Sequence, residues 1–207
     1  MFTVSRLKYL CYMNSKKLVS ALLFLIAFSA QLFCDEIAVT EVKKIETAGR
    51  AVYELTVNNC ILIKEIEVFE QAGKKTIKYP QYVSQKKRAY PQVVFLTGQS
   101  KEAAKNAVLG GLSGKYPKQT TKFEITRFSR FKKESSLKAL CAVAFNGALE
   151  VECKIIDGKN GPWVAWPARK NAKNGRWVGQ VIITDKKLRE NIEGELLSRY
   201  ESIKKPQ

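Results

Sequence analysis

Residues 59–97 lie over residues 146–184 without a gap at a constant separation of 87. A chain that repeats itself at such a period is expected to build two like units. Asn59, Leu62, Glu65, Pro80, Lys86, Val94 and Thr97 meet Asn146, Leu149, Glu152, Pro167, Lys173, Val181 and Thr184 as identities. Val68 falls on Ile155, Phe69 on Ile156, Glu70 on Asp157, Tyr79 on Trp166, Tyr90 on Trp177 and Phe95 on Ile182, so an aromatic precedes each matched proline. Upstream, Val39-Thr-Glu-Val42 corresponds to Ile125-Thr-Arg-Phe128 with the offset slipped by one.

Between the copies, Gly110-Gly-Leu-Ser-Gly-Lys-Tyr-Pro117 reads as a helix stop and a linker. The organisation expected is a leader over 1–34, a first domain over 35–112, a linker over 113–120 and a second domain over 121–204. Alternating apolar residues in 51–57 and 140–145 predict half-buried strands, each followed by an asparagine turn and a second strand, 61–69 or 149–156. A third strand ends at Tyr79-Pro80 or Trp166-Pro167, a basic loop comes next, and a fourth strand runs over 93–97 or 181–184. Helices over 100–109 and 185–200 close the units, the second with Leu188, Ile192, Leu196 and Leu197 at helical spacing. Thr97 and Thr184 stand near the helix starts as candidate caps. The fold class expected is α+β: two tandem small domains, each an antiparallel β-sheet meander with a C-terminal α-helix.

The formal charge of +17 favours polyanionic partners: nucleic acid, anionic lipid or acidic cell-wall polymer. The first 34 residues hold four basic residues and no acid, so most of the surplus belongs to residues 35–207. Within the leader, Leu18 to Phe33 is uncharged, comes after Lys16 and Lys17, and is shorter than the ~20 residues of a usual spanning helix. That is the anatomy of a signal peptide, with Met13 as an alternative start, a cleavage site around Ala27-Phe28-Ser29, and a lipidated Cys34 or an uncleaved anchor as other readings.

No Cys-x-x-Cys or Cys/His spacing marks a metal or redox site, and no cofactor is expected. Asn146-Gly147 reads as a two-residue type I′ turn pairing 145 with 148 and 141 with 152. Cys153 then faces away from Cys141, and both are expected as buried free thiols.

In the second copy, Ile155-Ile-Asp-Gly-Lys-Asn-Gly-Pro-Trp-Val-Ala-Trp-Pro-Ala-Arg-Lys170 resembles the signature of the SpoVG (stage V sporulation protein G, septation regulator) family. There a strand ends in Ile-Asp-Gly, passes a glycine turn and re-enters a strand finishing in Val-Ala-Met-Pro before Ser and basic residues; Trp166 stands in place of the Met. The resemblance runs through Gly175, Val181 and the Leu196 to Tyr200 segment, covering residues 123–202. The first copy keeps Asn58-Asn59, Ile66 to Phe69, Tyr79-Pro80 and Tyr90 to Phe95, but Gln71-Ala-Gly-Lys-Lys-Thr replaces the tighter turn. The resemblance implies small α+β proteins that dimerise, bind DNA and RNA, and influence septation, sporulation or envelope gene expression. A covalent duplication would replace that dimer by an intrachain pseudo-dimer.

After each matched proline comes a basic loop, Gln85-Lys-Lys-Arg88 and Arg169 to Arg176. Lys86, Lys87, Arg88, Arg169, Lys170, Lys173 and Arg176 are the candidates for phosphate contacts, and Trp163, Trp166 and Trp177 for stacking on unpaired bases. The plainer alternative is a solvated hairpin loop with its aromatics in a core or interface. Catalysis is the poorest reading, because the chain has no histidine, no Rossmann glycine pattern, and only a broken likeness to a phosphate loop at Gly114-Lys115. Export and gene regulation conflict physically. Two functions therefore stand side by side: a SpoVG-like regulator binding DNA or RNA in the cytoplasm, and an exported envelope protein binding anionic lipid or wall polymer.

Overall fold

Two asparagine turns begin the matching hairpins. In a computed structural model, which describes residues 37–47, 50–112, 120–131 and 135–204, Asn58 and Asn59 have φ of 51° and 56°, and Asn146 and Gly147 have 48° and 63°. Asparagine and glycine tolerate this left-handed backbone better than other residues do. The turns close with Cys60 N–H on the Val57 carbonyl at 3.0 Å and Ala148 N–H on the Phe145 carbonyl at 2.9 Å. Each first asparagine then clamps the incoming chain. Asn58 Oδ1 accepts from Ala38 N–H at 2.8 Å while Asn58 N–H donates to the Ala38 carbonyl; Asn146 does the same with Lys122 at 2.7 and 3.1 Å.

The chain runs through β1 (Val39–Thr47), β2 (Arg50–Val57), β3 (Ile61–Gln71), β4 (Lys74–Lys78), β5 (Gln81–Val83), β6 (Ala89–Pro91), β7 (Val93–Phe95) and α1 (Gly98–Gly110). The same order recurs in β8 (Phe123–Arg130), β9 (Leu137–Phe145), β10 (Leu149–Gly158), β11 (Gly161–Ala165), β12 (Ala168–Lys170), β13 (Trp177–Gly179), β14 (Val181–Ile183) and α2 (Lys186–Lys204). Among the described residues this is a mixed α+β fold of antiparallel sheets and two helices. The leader and residues 113–119 of the linker lie outside the described residues, among which no helix is long and apolar enough to cross a membrane.

Contrary to the expected meander, the fourth strand does not complete the sheet of its own half. The first sheet has the order β1-β2-β3-β14 with β4 also on β3, and the second has β11-β10-β9-β8 with β7 also on β10. Val93 to Phe95 thus pairs with Val151 to Leu149, and Val181 to Ile183 pairs with Ile63 to Ile61. β11 pairs with β10 only from Lys154 onward and β4 with β3 only from Glu67, so the first residues of both β10 and β3 offer open backbone groups, and the exchanged strands satisfy them. Residues 36–207 form one unit, with a continuous core in which Leu55, Ile61, Ile63, Ile66, Phe145, Leu149, Ile155, Ile192 and Leu196 are fully buried. Burial of each such side chain stabilises by about 1.5–3 kcal/mol.

The strand register also breaks the ungapped overlay. Tyr53 pairs with Ile66 but Leu55 with Ile63, so Lys64 and Glu65 bulge opposite Glu54, and Glu65 carries a φ of 59°. β10 has no bulge there. Lys64 N–H donates to the Gln180 carbonyl just as Glu152 N–H donates to the Gln92 carbonyl, both across the exchanged strands. Lys64 is therefore the counterpart of Glu152, Asn58 that of Asn146, and Glu65 is an inserted residue.

The second hairpin is offset by one residue from the expected pairing: Phe145 faces Leu149, and Cys141 lies directly opposite Cys153. Because Glu152 N–H points to β7, its neighbours point their backbone groups at β9, making Cys141 and Cys153 a hydrogen-bonded pair of the ladder. Both thiols are free and buried. The hydrogen bond to Cys141 and then burial push the Cys153 thiol well above the ordinary thiol value of 9.0. Burial likewise pushes the Tyr79 phenol up to about 12. Groups that hold protons more tightly when folded give stability that is complete below their unfolded pKa values and is lost as pH rises through the folded ones. For the Tyr79 phenol, the urea midpoint is therefore expected to fall between about pH 10 and pH 12; a midpoint unchanged at pH 11 would contradict that assignment.

At the helix starts, Thr97 and Ser100 form a reciprocal capping box, and Ser100 Oγ also donates to the Ala148 carbonyl at 3.0 Å. For α2, Asp185 Oδ1 accepts from Leu188 N–H at 3.0 Å, so Asp185 takes the role expected of Thr184, whose N–H donates to the Cys60 carbonyl.

Candidate nucleic-acid interface

The basic loops are the tips of two small hairpins, β5–β6 and β12–β13. Ser84 braces the first: its N–H donates to the Arg88 carbonyl at 2.8 Å, its hydroxyl accepts from Arg88 N–H, and its carbonyl accepts from Lys87 N–H at 2.9 Å. Asparagines brace the second. Asn171 Oδ1 accepts from Lys173 N–H at 2.9 Å, Asn174 Oδ1 from Arg176 N–H at 3.0 Å, and Gly175, at φ 67°, lets the chain turn back. Lys86, Lys87, Arg88, Lys170, Lys173 and Arg176 are exposed on these tips, and none has a carboxylate partner among the described residues.

Arg169 differs from the other six. Its Nε donates to Glu65, which also accepts from Gln180 Nε2 at 2.9 Å, and this hydrogen bond raises its pKa. The charge at Arg169 is thus already compensated by the bulge residue of the first half, and Arg169 serves as a strut. Sequence pattern grouped Arg169 with the loop because the bulge that positions Glu65 is invisible without the pairing register.

Each hairpin leans on the other half's sheet. Arg169 of β12 reaches Glu65 of β3, and Tyr82 of β5 lies under Lys154 of β10, whose Nζ is 4.5 Å from the ring centroid. Two clefts open beneath the hairpins at equivalent places. The one beside β3 includes Glu65, Glu67, Lys78, Arg169 and Gln180 beside Val52, Tyr79 and Val83, so its lining mixes charged and apolar groups. The one beside β10, a cavity of about 590 Å³, is lined mainly by apolar groups and holds Trp163, Trp166 and Trp177.

Trp163 is 51% and Trp177 70% exposed, whereas Trp166 is anchored by a 2.9 Å hydrogen bond from Nε1 to Glu193 on α2. Gly158 makes room for Trp163: a Cβ there would lie 3.3 Å from two atoms of the indole. Gly161 has a φ of 100°, so the two glycines of this turn have separate jobs, one steric and one conformational. The Trp166 ring partly belongs to the core, as the plainer reading expected, while the other two indoles face outward. Among the described residues no three His, Cys, Asp or Glu side chains converge as metal ligands.

The stretch that forms this cleft and its hairpin is also where the chain meets known proteins. The SpoVG family model matches residues 121–202. A protein of Clostridium perfringens carrying the name septation protein SpoVG is 32% identical over 79 residues, which are 38% of this chain and 87% of that protein. A Clostridium botulinum protein of the same name is 33% identical over 76 residues, 36% of this chain and 81% of its own. For the similarly named protein of Symbiobacterium thermophilum, 32% identity extends over 78 residues, and the chain spans about half of that relative, 55%. Through its C-terminal part this chain belongs to the SpoVG family of septation proteins.

Proposed function

We propose that the chain is a septation or sporulation regulator of the SpoVG type, a binding protein rather than an enzyme, that holds DNA or RNA through its basic hairpins. The carrying observation is the six uncompensated cations on two braced hairpin tips, in a chain of formal charge +17. Such a surface attracts phosphates by releasing their counterions, without reading sequence.

We further infer that the first half is a diverged second copy of the same unit, and that the two copies act as an intrachain pseudo-dimer. The repeated order of fourteen strands and two helices supports this, as does the reciprocal exchange of β7 and β14. Exchange of equivalent elements is what a domain-swapped dimer does between chains.

The uncharged stretch Leu18 to Phe33 behind Lys16 and Lys17 favours a second reading, an exported protein whose charge meets anionic lipid or wall polymer. A titration separates the two. The full chain is expected to bind a fluorescent 20-nucleotide oligonucleotide with an affinity that falls steeply from 50 to 200 mM salt, and more tightly than vesicles rich in anionic lipid. Retention of vesicles or wall polymer, with no oligonucleotide bound at 50 mM salt, would put the envelope reading in its place.

A further inference from the structure

Gln92 and Gln180 occupy equivalent places, each just before the exchanged strand, each buried, and each accepting through its carbonyl from the strand it meets. Their side chains do not share a fate. Gln180 donates to Glu65, the inserted residue of the β3 bulge. No residue is inserted at that point of β10, and Glu152 turns its carboxylate instead to Arg127 at 2.7 Å. The Gln92 amide, in a residue only 6% exposed, consequently has no protein partner among the described residues, and it lines the tryptophan cleft. An amide that faces a cleft without a protein partner keeps its donor and its acceptor available to whatever enters that cleft.

We propose that this cleft is the binding site for an unpaired base of a single-stranded nucleic acid, so that the protein prefers single strands over duplex. The inference rests on the proposed nucleic-acid binding and adds to it a site for the base. Trp163 and Trp177 supply outward-facing rings on which a base can stack. Gln92 offers a donor and an acceptor to the base edge, a surface that is accessible when the base is unpaired. Arg176 and Lys170 flank Trp177 in sequence and across the β12–β13 ladder, and Lys154 lines the cleft, so cations for the backbone phosphates lie beside the stacking rings. The equivalent cleft of the first half is closed to this use: Arg169, Glu65 and Gln180 satisfy one another, and Thr76 stands where Trp163 does. One base site per chain is the consequence.

All three tryptophans of the chain line this cleft, so intrinsic fluorescence reports on it alone. The test uses the full-length protein with a mixed-sequence 20-nucleotide single strand, the same strand carrying abasic sites throughout, and the corresponding duplex. The single strand is expected to quench tryptophan fluorescence and the abasic strand to leave it unchanged. Trp177→Ala, at an exposed position that folding does not need, is expected to weaken the single strand by about 5- to 150-fold, the range for loss of one stacked base. Trp177→Phe is expected to recover most of this, and Gln92→Leu to weaken the single strand while sparing the abasic one.

Equal affinity for intact and abasic strands, with Trp177→Ala indistinguishable from the original, would overturn the base site while leaving phosphate binding by the hairpins standing. Quenching by an anionic wall polymer or vesicle, with none by any oligonucleotide, would overturn both this inference and the reading beneath it.

Discussion

Phe95→Ala is expected to lower the melting midpoint reported by tryptophan fluorescence, although Phe95 belongs to the first half of the sequence and every tryptophan to the second. Phe95 is 9% exposed, pairs with Leu149 across the exchanged strand, and packs against Tyr79 in a tilted ring contact with centroids 5.0 Å apart. Truncating a buried phenylalanine costs about 3–5 kcal/mol, which in a chain of this length corresponds to a fall of roughly 6–20 °C. Because β7 is part of the second sheet and α1 then packs on β1 and β2, the loss should be felt by both sheets together. Far-ultraviolet circular dichroism and tryptophan fluorescence should thus shift by the same amount in a single transition. If each half closed its own sheet, the tryptophan signal would keep its original midpoint while part of the dichroism melted early.

Much of the local structure was legible because it is written in local chemistry. Asn146-Gly147 specifies a type I′ turn through its tolerance of positive φ, and Leu188, Ile192, Leu196 and Leu197 mark the buried stripe of α2 through their spacing. Alternation in residues 61–69 and 149–156 likewise marked β3 and β10, both of which extend two residues further than the pattern indicated. Long-range pairing was not legible. Nothing in Val93 to Phe95 distinguishes adding to β3 from adding to β10, since the same apolar alternation suits either edge.

The same blindness affected the site. A one-residue error in the β9–β10 register placed Cys153 on the wrong face, because side chains alternate at every residue along a strand. Matching Glu65 with Glu152 by identity hid the bulge, and with it the compensation of Arg169 and the isolation of Gln92. All seven cations proposed from sequence stand exposed, and six of them are without a carboxylate partner among the described residues, on hairpin tips that asparagine and serine neighbours fix by local hydrogen bonds. The tryptophans were visible as aromatic residues beside those tips, but only the strand pairing shows that they converge on one cleft with Gln92.

Phosphate binding by the hairpin tips carries the functional account, and the number of contacts can be counted by salt. Replacing Lys170, Lys173 and Arg176 together by Gln removes three exposed charges without touching the core or the Arg169–Glu65 strut. Each phosphate neutralised on a single strand contributes about 0.7 to the slope of log affinity against log salt, so the triple variant should lose about 2 from that slope. Extrapolated from a common value near 1 M salt, this is roughly a 100-fold weaker complex at 0.1 M. Arg169→Gln alone should instead lower stability and leave the slope almost unaltered, because its charge is already compensated within the fold. The deciding measurement is therefore the salt dependence of oligonucleotide binding by the original chain and by the triple variant, recorded side by side. A slope reduced by about 2 is the predicted result; two parallel lines of equal affinity would show that the nucleic acid does not lie on these hairpins.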